Sequence, residues 1–233
     1  MAKKEEIVAV IPAREGSSRI KDKNFAPFGG HATLIHNKIA QLKKAKCFDK
    51  IYVSSDSKRI EEITKECGAD FLARDPYMCT AKPRWDDVVI SILNTVPGNP
   101  HIAWAMVTSP LFTRYAEATR VYLANLGNYD SLVGVKEMRE YFIDDRGRPF
   151  FYSFGPWHPY SNELKPLYAI NDTVFMAPKE RQIKWRYWMG RTPYLFRSEG
   201  YESIDVNFPD DLEMARVAAR MAEEKRNTGK VKI

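Results

Sequence analysis

The chain has 233 residues, of which 44% are hydrophobic, and it carries a formal net charge of +6. This length supports one sizeable core and predicts a single domain over residues 1–233. No run approaches the roughly 20 apolar residues of a membrane span, and the charged N-terminus lacks an apolar leader, so we expect a cytoplasmic protein without a membrane partner. Three cysteines without CxxC spacing argue against a disulfide framework and a zinc site.

Apolar runs and helical spacings alternate along the first 135 residues. The β-branched run at 7–13 is typical of a strand that is buried on both faces of a parallel sheet. The predicted elements are, in chain order, strand 7–13, helix 34–47, strand 50–54, helix 58–67 with Gly68 as its cap, strand 71–73, helix 85–93, strand 102–108, helix 114–126 and strand 131–135. This order predicts an α/β fold, a mostly parallel sheet with helices on both faces, whose ligands bind beyond the carboxyl ends of the strands.

The alternation breaks between about 138 and 191, where proline, glycine and aromatic residues become dense. We interpret this stretch as a β-rich insertion or arm whose exposed aromatic side chains form a homodimer interface. A long ordered loop folded over its own domain is the alternative. After this stretch the sequence predicts a strand at 203–206 and a final amphipathic helix from Pro209.

The loop after the first strand concentrates cations, hydroxyl groups and backbone N–H groups in one short segment. Its polar members are Arg14, Gly16, Ser17, Ser18, Arg19, Lys21 and Lys23. Phosphoryl transfer depends mainly on positioning and on neutralising charge spread over oxygens, which is what such a loop offers to a triphosphate. The loop matches neither GxxxxGK[ST] nor GxGxxG. A solvated basic loop without a ligand is the alternative.

Residues 11–24, IPAREGSSRIKDKN, resemble the N-terminal motif of the acylneuraminate cytidylyltransferases, the CMP-sialic acid synthetase family, which reads approximately IPARxGSxxxxxKN. Further matches follow in order. Residues 53–69 resemble VSTDxxxIxxxAxxxGA, and Arg74 stands where the family has an arginine shortly afterwards. Residues 108–111 match the end of LQPTSPLR, Asn171 matches the asparagine of NGAIYI, and residues 204–205 match the start of IDID. The resemblance therefore covers essentially the whole chain.

The resemblance implies a Rossmann-like nucleotidyltransferase with a dimerisation insertion, a transferase that moves CMP from CTP onto an acceptor and releases pyrophosphate. It implies catalytic roles for Arg14, Lys23 and Asp205. It further implies that Mg²⁺ is held by Asp205, although Asp205 as a cap of the following helix is an alternative. Asn207, which stands at the position of the family's second aspartate, is predicted to be a weaker metal ligand through its amide oxygen. The residues that it assigns to nucleotide binding are Ala13, Arg14, Gly16, Ser17, Lys23, Asn24, Ser55, Asp56, Arg74 and Ser109.

The sequence departs from the family's pattern at its metal and acceptor positions. Asn207 replaces the second IDID aspartate, while Met106 and Val107 replace the glutamine and proline of LQPTSPLR. The changes at Met106 and Val107 count against sialic acid, and the two cations Lys82 and Arg84 near the indole of Trp85 favour another acidic sugar, a phosphate or a phosphonate as the acceptor. The predicted acceptor-binding residues are Lys82, Arg84, Trp85, Met106, His158 and Asn171. The alternative for Arg84 and Trp85 is that they only begin a helix and pack.

Two other function classes remain open. The loss of a carboxylate at Asn207 is compatible with a catalytically silent nucleotide-binding or regulatory protein on the same fold. The basic balance would suit a nucleic-acid-binding module, but the cations are scattered among acids and no RNA-binding or DNA-binding motif is present. We therefore expect CTP, an anionic small molecule and a second copy of the chain as partners, and no nucleic acid.

Overall fold

The structure is a computed structural model that describes residues 5–16 and 19–227. Its strands are β1 (Ile7–Pro12), β2 (Lys50–Ser55), β3 (Asp70–Ala73), β4 (His101–Trp104), β5 (Ser131–Met138), β6 (Leu167–Pro178) and β7 (Pro193–Arg197). Its α-helices are α1 (Leu34–Ala45), α2 (Lys58–Glu66), α3 (Trp85–Thr95), α4 (Tyr115–Ala124), α5 (Lys179–Trp185) and α6 (Pro209–Asn227). Within the described ranges, no helix is both long and apolar enough to cross a membrane.

The strands form one seven-stranded sheet in the order β3-β2-β1-β4-β6-β5-β7. All neighbouring pairs are parallel except those of β6, which runs antiparallel to both β4 and β5. The predicted mostly parallel sheet is therefore confirmed. Because β6 runs the opposite way to β4, its first half lies beside the carboxyl end of β4.

Side chains of β1 alternate between two buried layers, one on each face of the sheet. Ile7, Ala9 and Ile11 pack in a layer with buried residues of α1, α2, α4 and α6. Val8 and Val10 pack in the other layer, against α3 and α5. A strand buried on both faces reads as a continuous apolar run, which is the pattern at the N-terminus. The prediction of helices on both faces is confirmed.

Short polar residues and glycine set the ends of the helices. The Thr33 hydroxyl accepts a hydrogen bond from the backbone N–H of His36 at the start of α1. The Ser57 hydroxyl does the same for Ile60 at the start of α2. Gly68 follows α2 with φ +63°, a left-handed conformation that glycine adopts without strain, as predicted for a C-terminal cap.

The predicted strand at 203–206 is wrong. Residues Gly200–Ser203 form a 3₁₀ helix, and the extended residues after it do not join the sheet. The N–H of Val206 donates to the carbonyl of Thr108, and the carbonyl of Val206 accepts from Lys23 Nζ, so a loop and a side chain satisfy these groups. The sheet ends instead at β7, an edge strand that the sequence analysis did not predict.

The region predicted as an arm, 138–191, includes part of the sheet. Both β6 and α5 fall within it, and β6 is an interior strand. The stretch 139–166 lies outside the sheet and contains an isolated bridge and two short 3₁₀ helices. It exposes Phe151, Trp157 and Tyr160 at 71%, 83% and 78% of their surfaces. A dimer interface on this stretch stays a prediction.

Candidate active site

A cleft of about 390 Å³ opens beyond the carboxyl ends of β1 and β4. Its walls include Ala13 at the end of β1 and residues 106–108 after β4. The cationic side chains that line it are Arg14, Arg19, Lys23 and Arg74, and among the described residues no acidic side chain lines it. Like charges confined to one small volume repel one another, so an anionic ligand that neutralises them is favoured.

Arg74 supports the first turn of the basic loop from within the protein. Its backbone N–H donates to the carbonyl of Ser55 at 2.9 Å, and only 7% of the residue is exposed. Its guanidinium donates to the carbonyl of Ala13 and, from Nε at 2.9 Å, to the sulfur of Cys79. Arg14 Nη1 donates to the carbonyl of Cys79 at 3.4 Å. Arg74 therefore lines the cleft and also fixes the backbone from which Arg14 projects.

Asn24 closes the basic loop upon itself. Its amide Nδ2 donates to the carbonyl of Arg14 at 2.8 Å, across ten residues of sequence, and the residue is 9% exposed. The amide is thus engaged with the loop, although Asn24 lines the cleft. Gly16 has φ +75° and lies outside the cleft lining, and the predicted contact at Ser17 lies outside the described residues.

Lys23 joins the basic loop to the segment that precedes α6. Its Nζ donates to the carbonyl of Val206 at 2.9 Å, and the Val206 N–H donates to Thr108 at 2.7 Å. Burial lowers the pKa of Lys23, while the nearby carboxylate of Asp205 opposes this shift. Three segments that are distant in sequence therefore meet at one lysine on the wall of the cleft.

Asp205 and Asn207 lie together, as predicted, but the two side chains face each other. The amide Nδ2 of Asn207 donates to Asp205 Oδ2. Asp205 Oδ1 is buried and has no hydrogen-bond partner within the described residues. Asp211, in the first turn of α6, reaches back over the start of the helix, and its Oδ2 accepts from the N–H groups of Asn207 and Phe208 at 2.9 and 2.7 Å. Asp205 is therefore free of the capping role that was its alternative.

Asp172, which the sequence analysis did not select, belongs to the same group. Burial and the neighbouring Asp205 raise the pKa of Asp172 to about 6, and Lys23 opposes the shift. The available sequence signal was its position directly after Asn171, where the NGAIYI motif has glycine. A carboxylate that replaces glycine beside a matched motif residue is a change in chemistry as well as in size.

One wall of the cleft is apolar. Met78, Trp85, Val88, Met106 and Val107 line it. Trp85 begins α3 and packs edge-on against a second indole at 4.8 Å, and its own Nε1 is buried without a hydrogen-bond partner within the described part of the chain. The structure thus brings the predicted acceptor residues Trp85 and Met106 beside the basic loop.

The other predicted acceptor residues lie outside the cleft lining. Lys82 and Arg84 are exposed, and Arg84 pairs with Asp86 at 3.1 Å. His158 stacks on an aromatic ring at 4.6 Å within the stretch 139–166. Asn171 is buried, and its Oδ1 accepts from a neighbouring threonine hydroxyl at 2.7 Å. These four residues therefore do not join Trp85 in the lining of this cleft.

Three predicted nucleotide-binding residues also lie outside the cleft lining. Ser55 is buried and its hydroxyl accepts from the N–H of Ser57 at 3.2 Å. Asp56 is exposed. Ser109 is 1% exposed, and its carbonyl accepts from the buried Lys38 Nζ at 2.8 Å. The residues that the structure does bring together are Ala13, Arg14, Lys23, Asn24 and Arg74.

The strand order and the basic cleft at the carboxyl edge of the sheet define an α/β protein of the kind that binds its ligand beyond the ends of its strands. Solved structures with this fold include CMP:2-keto-3-deoxy-manno-octonic acid synthetase complexed with CTP, at TM-score 0.67 and 14% identity over 94% of this chain and 99% of that one. Another is 4-diphosphocytidyl-2C-methyl-D-erythritol synthase from Anaerococcus prevotii, at TM-score 0.64 and 14% identity over 93% of this chain and 99% of that one.

Residues 8–112 match the family model described as cytidylyltransferase. The chain is 27% identical to the N-acylneuraminate cytidylyltransferase of Streptococcus agalactiae over 214 residues, which is 88% of this chain and 51% of the relative. It is 26% identical to the CMP-N,N'-diacetyllegionaminic acid synthase of Legionella pneumophila, over 94% of this chain and 98% of that one. The chain is thus similar to these cytidylyltransferases as a divergent relative, as the resemblance predicted. It spans about half the length of the N-acylneuraminate cytidylyltransferases that it matches.

Proposed function

We propose that this protein is a cytidylyltransferase that transfers CMP from CTP to an anionic acceptor and releases pyrophosphate. The observation that carries the proposal is the convergence of four cations, Arg14, Arg19, Lys23 and Arg74, on one cleft. All four belong to the segment that matches the cytidylyltransferase model. A triphosphate supplies the negative charge that this cleft favours.

In the proposed reaction, an acceptor hydroxyl oxygen attacks the α-phosphorus of CTP. The bond between that phosphorus and the oxygen bridging to the β-phosphorus breaks, pyrophosphate leaves with the bonding electron pair, and the hydroxyl proton passes to water. Negative charge therefore grows on the departing pyrophosphate. We assign the neutralisation of this charge to Arg14 and Lys23, which line the cleft, while Arg74 holds the Ala13 backbone in place.

The residues present fit a divalent cation, and we propose Mg²⁺. Asp205 Oδ1 is a buried carboxylate oxygen without a hydrogen-bond partner in the described part of the chain, which is the kind of ligand that a hard cation takes. Asn207 orients this carboxylate through its amide. When bound, the cation would neutralise charge on the phosphate oxygens.

We propose an acidic sugar as the acceptor. Relatives carry names that specify acylneuraminate, diacetyllegionaminic acid and 3-deoxy-manno-octulosonate, all of which are acidic sugars. The apolar surface of Met106 and Val107 favours an acceptor other than sialic acid. Turnover with a panel of acidic sugars, phosphates and phosphonates tests this. Activity with phosphates or phosphonates alone would contradict an acidic sugar, and selective activity with N-acetylneuraminate would contradict an acceptor other than sialic acid.

The central experiment measures pyrophosphate release from CTP and Mg²⁺ across that panel. Arg14→Ala is expected to weaken CTP binding about tenfold or more, because it removes a charge-assisted contact. Lys44→Ala is the matched control, since Lys44 is exposed on α1 and lies outside the cleft lining. CTP binding without pyrophosphate release from any acceptor would favour the catalytically silent alternative. A thermal-shift screen of the four nucleoside triphosphates tests the choice of CTP.

We also propose that the protein acts in the cytoplasm as a homodimer that uses the exposed aromatic side chains of 139–166. Contiguous exposed apolar side chains commonly mark protein–protein contacts. Light scattering of the purified protein is expected to give twice the chain mass, and Trp157→Ser is expected to shift it toward the monomer. A wild-type protein that remains monomeric at high concentration would contradict the proposal.

A further inference from the structure

The chain carries one carboxylate fewer than the IDID motif that it otherwise matches, because Asn207 stands at the second aspartate position. The amide nitrogen of Asn207 is a donor, and it faces Asp205 Oδ2. An amide in this arrangement orients its neighbour and adds no negative charge. A hard cation prefers one or two carboxylates together with phosphate oxygens and water. Asp205 therefore has an unused oxygen and no charged partner from its own segment.

Asp172 lies in an irregular stretch of β6. Between Val133 and Val135 the neighbouring β5 advances by two residues, while the paired positions in β6 run from Phe175 to Ile170, an advance of five. The additional residues of β6 form a bulge. Bulges re-aim side chains and are over-represented next to active sites.

Gly134 determines which side chains fill that bulge. A Cβ at Gly134 would lie 1.9 Å from Thr173 Oγ1 and 2.9 Å from Asn171 Oδ1. The two side chains are also hydrogen-bonded to each other at 2.7 Å. Both neighbours of Asp172 are therefore directed at Gly134, whereas the carboxylate of Asp172 interacts electrostatically with Lys23 and Asp205.

The direction of β6 places this bulge at the cleft end of the sheet. The last pair between β4 and β6 joins Trp104 to Phe175, and the two strands are antiparallel. The part of β6 that precedes Phe175 therefore lies on the side of the residues that follow Trp104. Of these, residues 106–108 line the cleft. Lys23, which lines the cleft and donates to Val206, interacts electrostatically with both Asp172 and Asp205.

We propose that Asp172 supplies the second carboxylate for the divalent cation that Asp205 holds, in place of the charge that is absent at Asn207. The inference rests on the proposed function. In this arrangement, two residues share the function of the absent second aspartate. Asn207 orients Asp205, and Asp172 contributes the charge from a different element of the fold.

The first experiment measures binding of Mn²⁺ alone, from the electron paramagnetic resonance signal of the free ion. Asp172→Asn and Asp205→Asn are each expected to weaken Mn²⁺ binding about tenfold or more. Asp210→Asn, which removes one exposed carboxylate at the start of α6, is the matched control and is expected to leave binding unchanged. The titration is repeated in about 0.5 M KCl, where charges separated by more than roughly 4 Å are largely screened. A carboxylate that coordinates Mn²⁺ directly is expected to keep its effect at this salt concentration, whereas a distant carboxylate is expected to lose it.

The second experiment is a rescue. Asn207→Asp returns the missing carboxylate to the segment before α6, so it is expected to restore Mn²⁺ binding in the Asp172→Asn background. Circular dichroism melts check that each variant folds. The single variant Asn207→Asp is expected to bind Mn²⁺ more tightly than the wild type, which gives an independent readout.

Wild-type Mn²⁺ affinity in Asp172→Asn at high salt would overturn the inference and leave the proposed function standing. A wild-type protein that binds neither Mn²⁺ nor CTP would overturn both.

Discussion

Lys38 on α1 is wholly buried, so its protonation is expected to change the free energy of unfolding with pH. Its Nζ donates to the carbonyl of Ser109 at 2.8 Å and to the hydroxyl of Tyr115 at 2.7 Å. Burial lowers the pKa of Lys38 from 10.5 to about 7. Between these two values the unfolded chain holds one more proton than the folded protein, so raising the pH favours the folded state.

The magnitude follows from this difference in bound protons. The contribution of Lys38 to the free energy of unfolding rises by up to about 1.4 kcal/mol per pH unit above the folded pKa. Because the slope is only half developed at the pKa itself, the gain between pH 7 and pH 8.5 is about 1.5 kcal/mol. Lys38→Met keeps a similar shape and removes the titrating group, so it is expected to remove this gain.

The assay is urea unfolding of both proteins, followed by tryptophan fluorescence at several pH values between about 6 and 8.5. The cysteines are the same in both proteins, so their titration cancels in the difference. The difference in unfolding free energy between wild type and Lys38→Met is expected to grow with pH. Lys44→Met, which changes an exposed lysine of the same helix, is the control and is expected to show no such growth. A wild-type minus Lys38→Met difference that stays constant over this range would refute a buried, largely neutral amine.

Two further substitutions test the local construction of the site. Asn24→Ala removes the hydrogen bond that closes the basic loop on the Arg14 carbonyl. It is expected to lower the free energy of unfolding by about 1–2 kcal/mol and to weaken CTP binding, measured by calorimetry. Unchanged CTP affinity would contradict the role of loop closure. Gly134→Ala places a methyl group against Thr173 and is expected to lower the unfolding free energy by about 2 kcal/mol or more, whereas Gly127→Ala, with open space around it, is the control.

The first strands and helices were predictable because their local sequence patterns match the burial that each element has in the fold. A continuous apolar run suits β1, which is buried on both faces. The helices after it carry capping residues and apolar stripes of their own. The errors fall where a local pattern depends on distant partners. Residues 203–206 have the composition of a strand, but Lys23 and Thr108 take the hydrogen bonds of Val206.

The predictions for the candidate site succeeded and failed for the same reason. The basic loop was predictable because its cations are close together in the sequence, and Arg14 and Lys23 do line one cleft. The acceptor residues were chosen by their chemistry alone, and only Trp85 and Met106 reach that cleft. His158 lies among the aromatic rings of 139–166. Asp172 was missed because its electrostatic partners, Lys23 and Asp205, are remote in sequence.

The alternation of strands and helices, the basic loop after β1 and the motif matches of a cytidylyltransferase can be recognised in the chain alone, because each depends on residues within one short segment. Folding is needed to bring Arg74 and Asn24 onto that loop, to insert β6 antiparallel in the sheet, and to let Asp172 interact electrostatically with Asp205. Apart from the ten-residue step between Arg14 and Asn24, these interactions join segments separated by tens of residues, and which of them form depends on how the strands pair and how the side chains pack.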